Sequence, residues 1–84
     1  MKFEYFKETD TLYIDLKETN SIDSKEISNG IVLDFDESGD LTGIEIDNAT
    51  KVADLSKLEA KHLPAKDLVF AWFDILFFKM FCYK

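Results

Sequence analysis

Apolar and polar residues alternate along four short segments in the first 50 residues of the chain. In one of them, Leu12, Ile14 and Leu16 alternate with Tyr13 and Asp15. The other three segments are residues 3–5, 31–35 and 44–46. Because a strand places successive side chains on opposite faces, this period of two predicts half-buried β-strands.

The predicted sheet has four strands, joined in chain order as a meander of hairpins. The polar residues 7–11 separate the first strand from the second and suit a short hairpin loop. The third strand is expected to begin near Glu26 and to reach Phe35. Asn29-Gly30 would form a turn or a bulge within it, because this pair readily adopts positive φ. One face of such an antiparallel sheet is apolar and has to be covered.

The cover is expected from residues 50–84 or from a second copy of the protein. Between Thr50 and Leu63, apolar residues recur at helical spacing, which predicts a helix of one to three turns. Pro64 disfavours the helical conformation at the residue before it, so the helix is expected to end by Leu63.

Residues 68–83 hold most of the aromatic side chains of the chain. They are predicted to form a buried helix on the sheet or in a homodimer seam. An additional strand, an exposed tail and membrane attachment are the alternatives. A spanning helix is disfavoured, because this segment would reach about 24 Å against a hydrocarbon core of roughly 30 Å, with Asp74 near its centre. Binding to a membrane surface is also disfavoured, since Lys79 and the adjoining Lys84 are the only cations this segment offers.

The predicted fold class is therefore α+β: a small four-stranded antiparallel β-sheet covered on one face by C-terminal helical segments. We expect a single domain over residues 1–84, with the sheet in 1–49 and the cover in 50–84. With 84 residues, one hydrophobic core supplies only about 3 to 5 kcal/mol of stability. A homodimer is expected from size alone.

The charge balance restricts the partners. There are 17 acidic and 10 basic residues, giving a net charge of −7, which opposes nucleic-acid binding and favours a basic protein partner. The single cysteine, Cys82, allows no intramolecular disulfide. The first residues lack the apolar run of a signal peptide, so a cytoplasmic location is expected.

The stretch from Asp34 to Glu45 fits two structures. Its spacing of acidic residues around Gly39 matches a twelve-residue calcium loop. The flanking residues alternate instead of showing helical periodicity, and Asn29-Gly30 stands where an entering helix would run. This favours a β-hairpin, in which Asp36 and Ser38 bond backbone amides of the turn. The remaining alternative is looser calcium or magnesium binding by Asp34, Asp36, Ser38 and Asp40.

No catalytic residue and no cofactor is predicted. His62 is the only histidine, and the sequence places no nucleophile or orienting acid for it. Cys82 lies in an aromatic run, where a small apolar role is more common than a reactive one. Pairs of acids such as Glu45 and Asp47 share a strand face, where they usually serve as solubilising charge. We therefore expect a protein without enzymatic activity.

Several blocks together resemble a known family over residues 2 to about 51. The blocks are Phe3-Glu4-Tyr5, Asp10 to Leu16, Gly30 to Asp40, and Gly43 to Ile46 with Ala49. They are similar to the short prokaryotic proteins of domain-of-unknown-function family 2283. The resemblance implies a small antiparallel sheet with the aspartate-rich stretch as a hairpin, and it supplies no catalytic residues. It also implies, from suspected toxin–antitoxin pairs among members, an antitoxin-like role.

The leading hypothesis is a small acidic interaction module, a homodimer that binds a basic protein in the manner of an antitoxin. The alternative is a domain that responds to divalent cations through the acidic hairpin from Asp34 to Asp40.

Overall fold

The computed structural model describes residues 1–71 and 82–83. This part of the chain contains seven strands and one short helix. In chain order the elements are β1 (Lys2–Phe6), β2 (Thr11–Asp15), β3 (Asp23–Ser28), β4 (Ile31–Phe35), β5 (Leu41–Asp47), α1 (Ala49–Val52), β6 (Leu68–Val69) and β7 (Cys82–Tyr83). The first five strands form one antiparallel sheet, and the last two pair separately.

The main sheet has five strands in the order β1-β2-β5-β4-β3, so the prediction of a four-stranded meander is wrong in count and in order. The predicted third strand is two strands, because Asn29-Gly30 turns the chain back between β3 and β4. Gly30 has a φ of 84°, a conformation that disfavours any side chain. Beside the turn the register shifts between Glu26 and Ser28, as in a β-bulge.

Residues 16–22 carry the chain from β2, in the interior of the sheet, to β3 at its edge. The segment passes the ends of β5 and β4 and is hydrogen-bonded to both. The Leu16 N–H donates to the Thr42 carbonyl at 2.8 Å, and the Ile22 N–H donates to the Phe35 carbonyl at 2.9 Å. This crossing allows β5 to pair with β2 and so joins the β1–β2 hairpin to the β3–β4–β5 unit.

The register gives the sheet two chemically different faces. Residues paired across antiparallel strands lie on the same face, so each row of side chains can be followed across the sheet. The apolar face consists of Phe3, Tyr5, Leu12, Ile14, Ile31, Leu33, Ile44 and Ile46. The acidic face carries Glu4, Tyr13, Asp15, Glu26, Asp34, Glu45 and Asp47, together with Lys2. The alternation predicted from the sequence is confirmed by this division.

The helix expected between Thr50 and Leu63 is limited to the single turn of α1. Ala53, directly after it, is extended, with φ −141° and ψ 149°. The Asp54 carboxylate accepts a hydrogen bond from the backbone N–H two residues later at 3.0 Å, a local turn that competes with helix formation. Leu58 and Leu63 remain 63% and 55% exposed. The predicted helical cover over residues 50–63 is therefore wrong, because its apolar stripe packs against nothing that would stabilise a helix.

Few side chains are deeply buried in the part of the chain that the structure describes. Ala49 is the only apolar residue there with complete burial, and Thr42, 1% exposed, is the only buried polar one. Every residue from Lys51 to Ala71 is exposed. Extensive contacts between described elements are confined to neighbouring strands, so no other described element packs extensively on the main sheet.

The C-terminal segment contains strands where a helix was predicted. Leu68–Val69 pairs antiparallel with Cys82–Tyr83, which agrees with the alternative of an additional strand at these two ends. Most of the predicted buried helix, residues 72–81, lies outside the described residues. Among residues 1–71 and 82–83, no helix is long and apolar enough to cross a membrane.

Candidate interaction surfaces

The apolar face extends over four strands, from β1 across β2 and β5 to β4. At its outer end Phe3 and Tyr5 are 49% and 43% exposed. Its members on the other three strands are half-buried. No described element outside the sheet makes extensive contact with it. Eight adjacent apolar side chains form the kind of patch that marks a contact with another protein surface.

A hydrogen-bonded row crosses the acidic face. The Tyr13 hydroxyl donates to Asp34 Oδ2 at 2.7 Å, and the Ser24 hydroxyl donates to Asp34 Oδ1 at 2.6 Å. The Tyr13 side chain passes over Gly43 of the intervening strand, where a Cβ would overlap the phenol. The bond to Asp34, followed by partial burial, raises the pKa of Tyr13 to about 12. Sequence reasoning missed this row, although a glycine inside a strand signals a close approach of this kind.

An open groove of about 550 Å³ lies beside this row. It is lined by Phe6, Thr9, Thr11, Tyr13, Glu45 and Asp47. Partial burial raises the pKa of Glu45, and the charges of Asp47 and Asp34 raise it further. Ionisation of Glu45 is thus opposed by its surroundings, and a cationic side chain placed in the groove would relieve the repulsion.

The acidic hairpin between β4 and β5 is held by its own hydrogen bonds. The Asp36 carboxylate accepts bonds from the backbone N–H of Ser38 at 2.9 Å and of Asp40 at 3.0 Å. Gly39 takes the left-handed conformation, with φ 84°. Lys17 Nζ lies 3.3 Å from a carboxylate oxygen of each of Asp36 and Asp40. The Asp40 N–H and then Lys17 hold the pKa of Asp36 below its usual value.

The residues considered for a cation site are divided between two places. Asp34 lies on the acidic face with Tyr13, whereas Asp36, Ser38 and Asp40 lie in the turn, where Lys17 already bridges the two aspartates. Within residues 1–71 and 82–83, no group of three or more His, Cys, Asp or Glu side chains is arranged to hold a metal ion.

The other two residues considered for chemistry are also placed apart. His62 is exposed in the stretch between α1 and β6 and has a φ of 58°. Cys82 is in β7, which pairs with β6 in the separate two-stranded sheet.

Asp10 connects the β1–β2 hairpin to α1. Its carboxylate accepts 2.8 Å hydrogen bonds from the hydroxyls of Tyr5 and Thr50, and its carbonyl accepts the Ala49 N–H at 2.9 Å. The Thr50 hydroxyl, followed by the Tyr5 hydroxyl, lowers the pKa of Asp10. Asp10 has a φ of 53°, which aspartate tolerates better than most residues. The sequence predicts only a loop residue at position 10, because nothing near Asp10 in the chain indicates a partner 40 positions away.

Comparison with family models identifies the chain. A model described as "Protein of unknown function (DUF2283)" matches residues 2–49. The chain belongs to this family. The DUF2283 match covers all five strands of the main sheet and ends at the first residue of α1, so the resemblance noted from the sequence blocks is confirmed. Comparison with curated proteins and with solved structures finds no significant match. The DUF2283 description names no activity.

Proposed function

We propose that this DUF2283 protein is a non-enzymatic protein–protein interaction module that binds through its apolar face. The observation that carries the proposal is the apolar face itself, whose eight aligned side chains make no extensive contact with a described element outside the sheet. At about 25 cal/mol per Å² of apolar area removed from water, covering such a face is strongly favourable. A protein surface of matching apolar character is the expected cover.

The charge distribution supports a basic partner. The acidic face carries six carboxylates and one lysine among its strand residues, and the whole chain has a net charge of −7. This field attracts a positively charged protein and accelerates its encounter with the sheet. The raised pKa of Glu45 also favours a basic partner, since a cation near Glu45 would lower this pKa and stabilise the ionised carboxylate. An antitoxin-like role, in which the partner is a basic toxin, is the specific form of this proposal.

The absence of enzymatic activity is part of the proposal. Perturbed titratable groups can mark catalytic sites, but the shifts of Tyr13 and Asp36 have structural explanations. The pKa of Tyr13 is raised chiefly by its bond to Asp34, and that of Asp36 is lowered chiefly by the turn amides and Lys17. The Tyr13 hydroxyl is bonded to Asp34, and the Asp36 carboxylate is bonded to two amides of its own turn and lies beside Lys17.

The test uses two neighbouring residues of β4 that lie on opposite faces. The immobilised full chain captures proteins from the native cell, and the captured protein is purified and titrated against the full chain and against Leu33→Lys and Val32→Lys. Leu33 is on the apolar face, and Val32, opposite Glu26 and Glu45, is on the other. Both variants place the same cation on the same strand.

We expect Leu33→Lys to weaken binding by about tenfold or more, the effect of losing an apolar anchor, and Val32→Lys to change it far less. Raising the salt concentration should also weaken binding if the partner is basic. Urea unfolding checks that each variant is folded, and Leu33→Ala replaces Leu33→Lys if the latter is not. A larger loss with Val32→Lys than with either Leu33 variant would refute binding through the apolar face.

A further inference from the structure

The two edges of the main sheet are built differently. At the β3 edge, Asp23 to Ser28, the register shifts between Glu26 and Ser28, and the sequence Asp-Ser-Lys-Glu is polar. Bulges and charges of this kind keep an edge strand from pairing with another chain. The β1 edge runs in unbroken register with β2 from Lys2 to Phe6. It contains three aromatic residues and neither a proline nor a bulge.

The aromatic side chains of β1 are exposed, and aromatic residues favour pairing with a neighbouring strand. Phe3, Tyr5 and Phe6 are 49%, 43% and 43% exposed, although aromatic residues in strands are stabilised by cross-strand neighbours. Within the described residues no strand lies on the outer side of β1. Its outward backbone N–H and C=O groups are therefore available to another strand.

The charges of β1 select one register for a second copy of the same strand. Lys2 and Glu4 lie on the same face, two residues apart on either side of Phe3, with their charged atoms 3.8 Å from each other. If two β1 strands pair antiparallel about a two-fold axis at Phe3, Lys2 of each copy stands opposite Glu4 of the other. The same axis places the two Phe3 rings side by side, a favourable cross-strand aromatic pair. An axis at Glu4 would instead set two like charges opposite each other.

We propose that β1 is a self-association edge, through which two copies join antiparallel at Phe3 into one continuous ten-stranded sheet. Opposed residues of paired strands share a face, so the two apolar faces become one surface of twice the area. This proposal goes beyond the binding role above, because it concerns the edge of the sheet and would stand whether or not the apolar face binds a partner.

The first experiment measures self-association of the full chain by sedimentation equilibrium, with Lys2→Glu and Glu4→Lys as variants. Each variant opposes like charges at two symmetry-related pairs, and we expect each to weaken dimerisation roughly tenfold, since two cross-strand pairs are reversed. Net charge alone predicts a different result. Lys2→Glu makes the chain more negative and Glu4→Lys makes it less negative. Repulsion between the net charges of two chains would therefore weaken only the dimer of Lys2→Glu.

An equimolar mixture of the two variants is the decisive sample. Lys2→Glu leaves two glutamates on the strand and Glu4→Lys leaves two lysines, so in the proposed register the mixed dimer has two opposite-charge pairs. We expect the mixture to dimerise at least as tightly as the unmodified chain, and the double variant to recover the unmodified affinity. Lys25→Glu, on the β3 edge, is the matched control and should leave the association constant unchanged.

Amide hydrogen exchange provides a second readout. Raising the protein concentration should slow exchange within Lys2–Phe6 and leave Asp23–Ser28 unaffected, because only β1 gains backbone partners. A full chain that stays monomeric at millimolar concentration would overturn the proposal, as would a mixture no tighter than its separate components. Leu33→Lys tests binding through the apolar face, and its dimerisation is measured separately from its partner binding. The proposals for the apolar face and for the β1 edge can therefore fail independently.

Discussion

The phenol of Tyr13 lies across Gly43 and occupies the space in which any side chain at position 43 would stand. It thereby reaches over β5 to donate its hydrogen bond to Asp34 on β4. The two residues are on adjacent strands, with Tyr13 opposite Glu45 and Gly43 opposite Asp15. The glycine is thus required by the position of a neighbouring ring, and the hydrogen bond to Asp34 depends on the absence of a Cβ.

Gly43→Ala should lower the free energy of unfolding by about 1 to 3 kcal/mol, because the added methyl displaces the Tyr13 ring from a packed position. Urea unfolding monitored by circular dichroism measures the loss. In a Tyr13→Ala background the same substitution should cost much less, since the obstructing ring is gone. Equal costs in the two backgrounds would show that Tyr13 is not what excludes a side chain at position 43.

Tyr13→Phe should cost about 1 kcal/mol at neutral pH, the usual value of one hydrogen bond to a partly buried partner. The folded protein raises the pKa of Tyr13 from 10.0 to about 12, so its protonated hydroxyl stabilises the fold fully below pH 10. That contribution is lost as the pH rises from 10 to about 12. Stability curves of the unmodified chain and of Tyr13→Phe should therefore converge over this interval, and parallel curves would contradict the assignment.

Glu45→Gln should stabilise the protein at neutral pH by about 0.5 kcal/mol, the scale of a partly exposed charge interaction. Burial, Asp47 and Asp34 raise the pKa of Glu45, so the ionised form is the unfavourable one in the folded state. The stability associated with the protonated form is present below the ordinary pKa of 4.5 and is lost as the pH rises through the folded value. The advantage of the variant should disappear on acidification to pH 3. Glu37→Gln, in the exposed turn, serves as the charge-matched control.

Asp10→Asn should loosen the junction between the β1–β2 hairpin and α1. Asparagine tolerates the left-handed backbone as aspartate does, so the substitution removes the charge and weakens the bonds from Tyr5 and Thr50 without straining the turn. Amide exchange at Ala49 and at the Thr50 N–H, which donates to Asp10 Oδ1 at 3.2 Å, should accelerate severalfold. Amides of β3 and β4 serve as the internal reference, and uniform acceleration would indicate global destabilisation instead.

Millimolar calcium should leave the amide chemical shifts from Asp36 to Asp40 unchanged. Lys17 already lies 3.3 Å from both aspartates, and the turn amides occupy an oxygen of Asp36. In Lys17→Met the two carboxylates lose their cation, and weak calcium binding is then more favourable than in the unmodified chain. A saturable shift in the unmodified chain would restore the cation-responsive hypothesis.

The sequence predicted the strands better than their order. Alternation is a local property, and it placed Leu12, Ile14, Leu33, Ile44 and Ile46 on the correct face. The pairing of β2 with β5 is not local, and four of the five strands of the sheet present a similar apolar stripe, so periodicity alone cannot choose the neighbour of β2. Asn29-Gly30 fits both a turn and a bulge, which is why one strand was expected where two exist.

The candidate surfaces were less predictable than the fold. The hairpin role of Asp36 followed from ordinary turn chemistry, and it is confirmed by its bonds to the Ser38 and Asp40 amides. The contacts of Asp10 and the row from Tyr13 to Asp34 depend on which strands lie side by side. The helix predicted between Thr50 and Leu63 is present only as the single turn of α1, because the residues after it stay exposed and helical periodicity without packing does not stabilise a helix.

The crossing made by residues 16–22 separates the local strand pairings of the main sheet from the long-range pairing of β2 with β5. The hairpins β1–β2, β3–β4 and β4–β5 each close between segments adjacent in the chain, and such local closures take microseconds. The β2–β5 ladder joins residues that are far apart in sequence, such as Thr11 and Asp47. Closing this long loop costs more conformational entropy than closing a hairpin, and it slows the pairing. We therefore expect the association of β2 with β5 to limit the rate at which the main sheet forms.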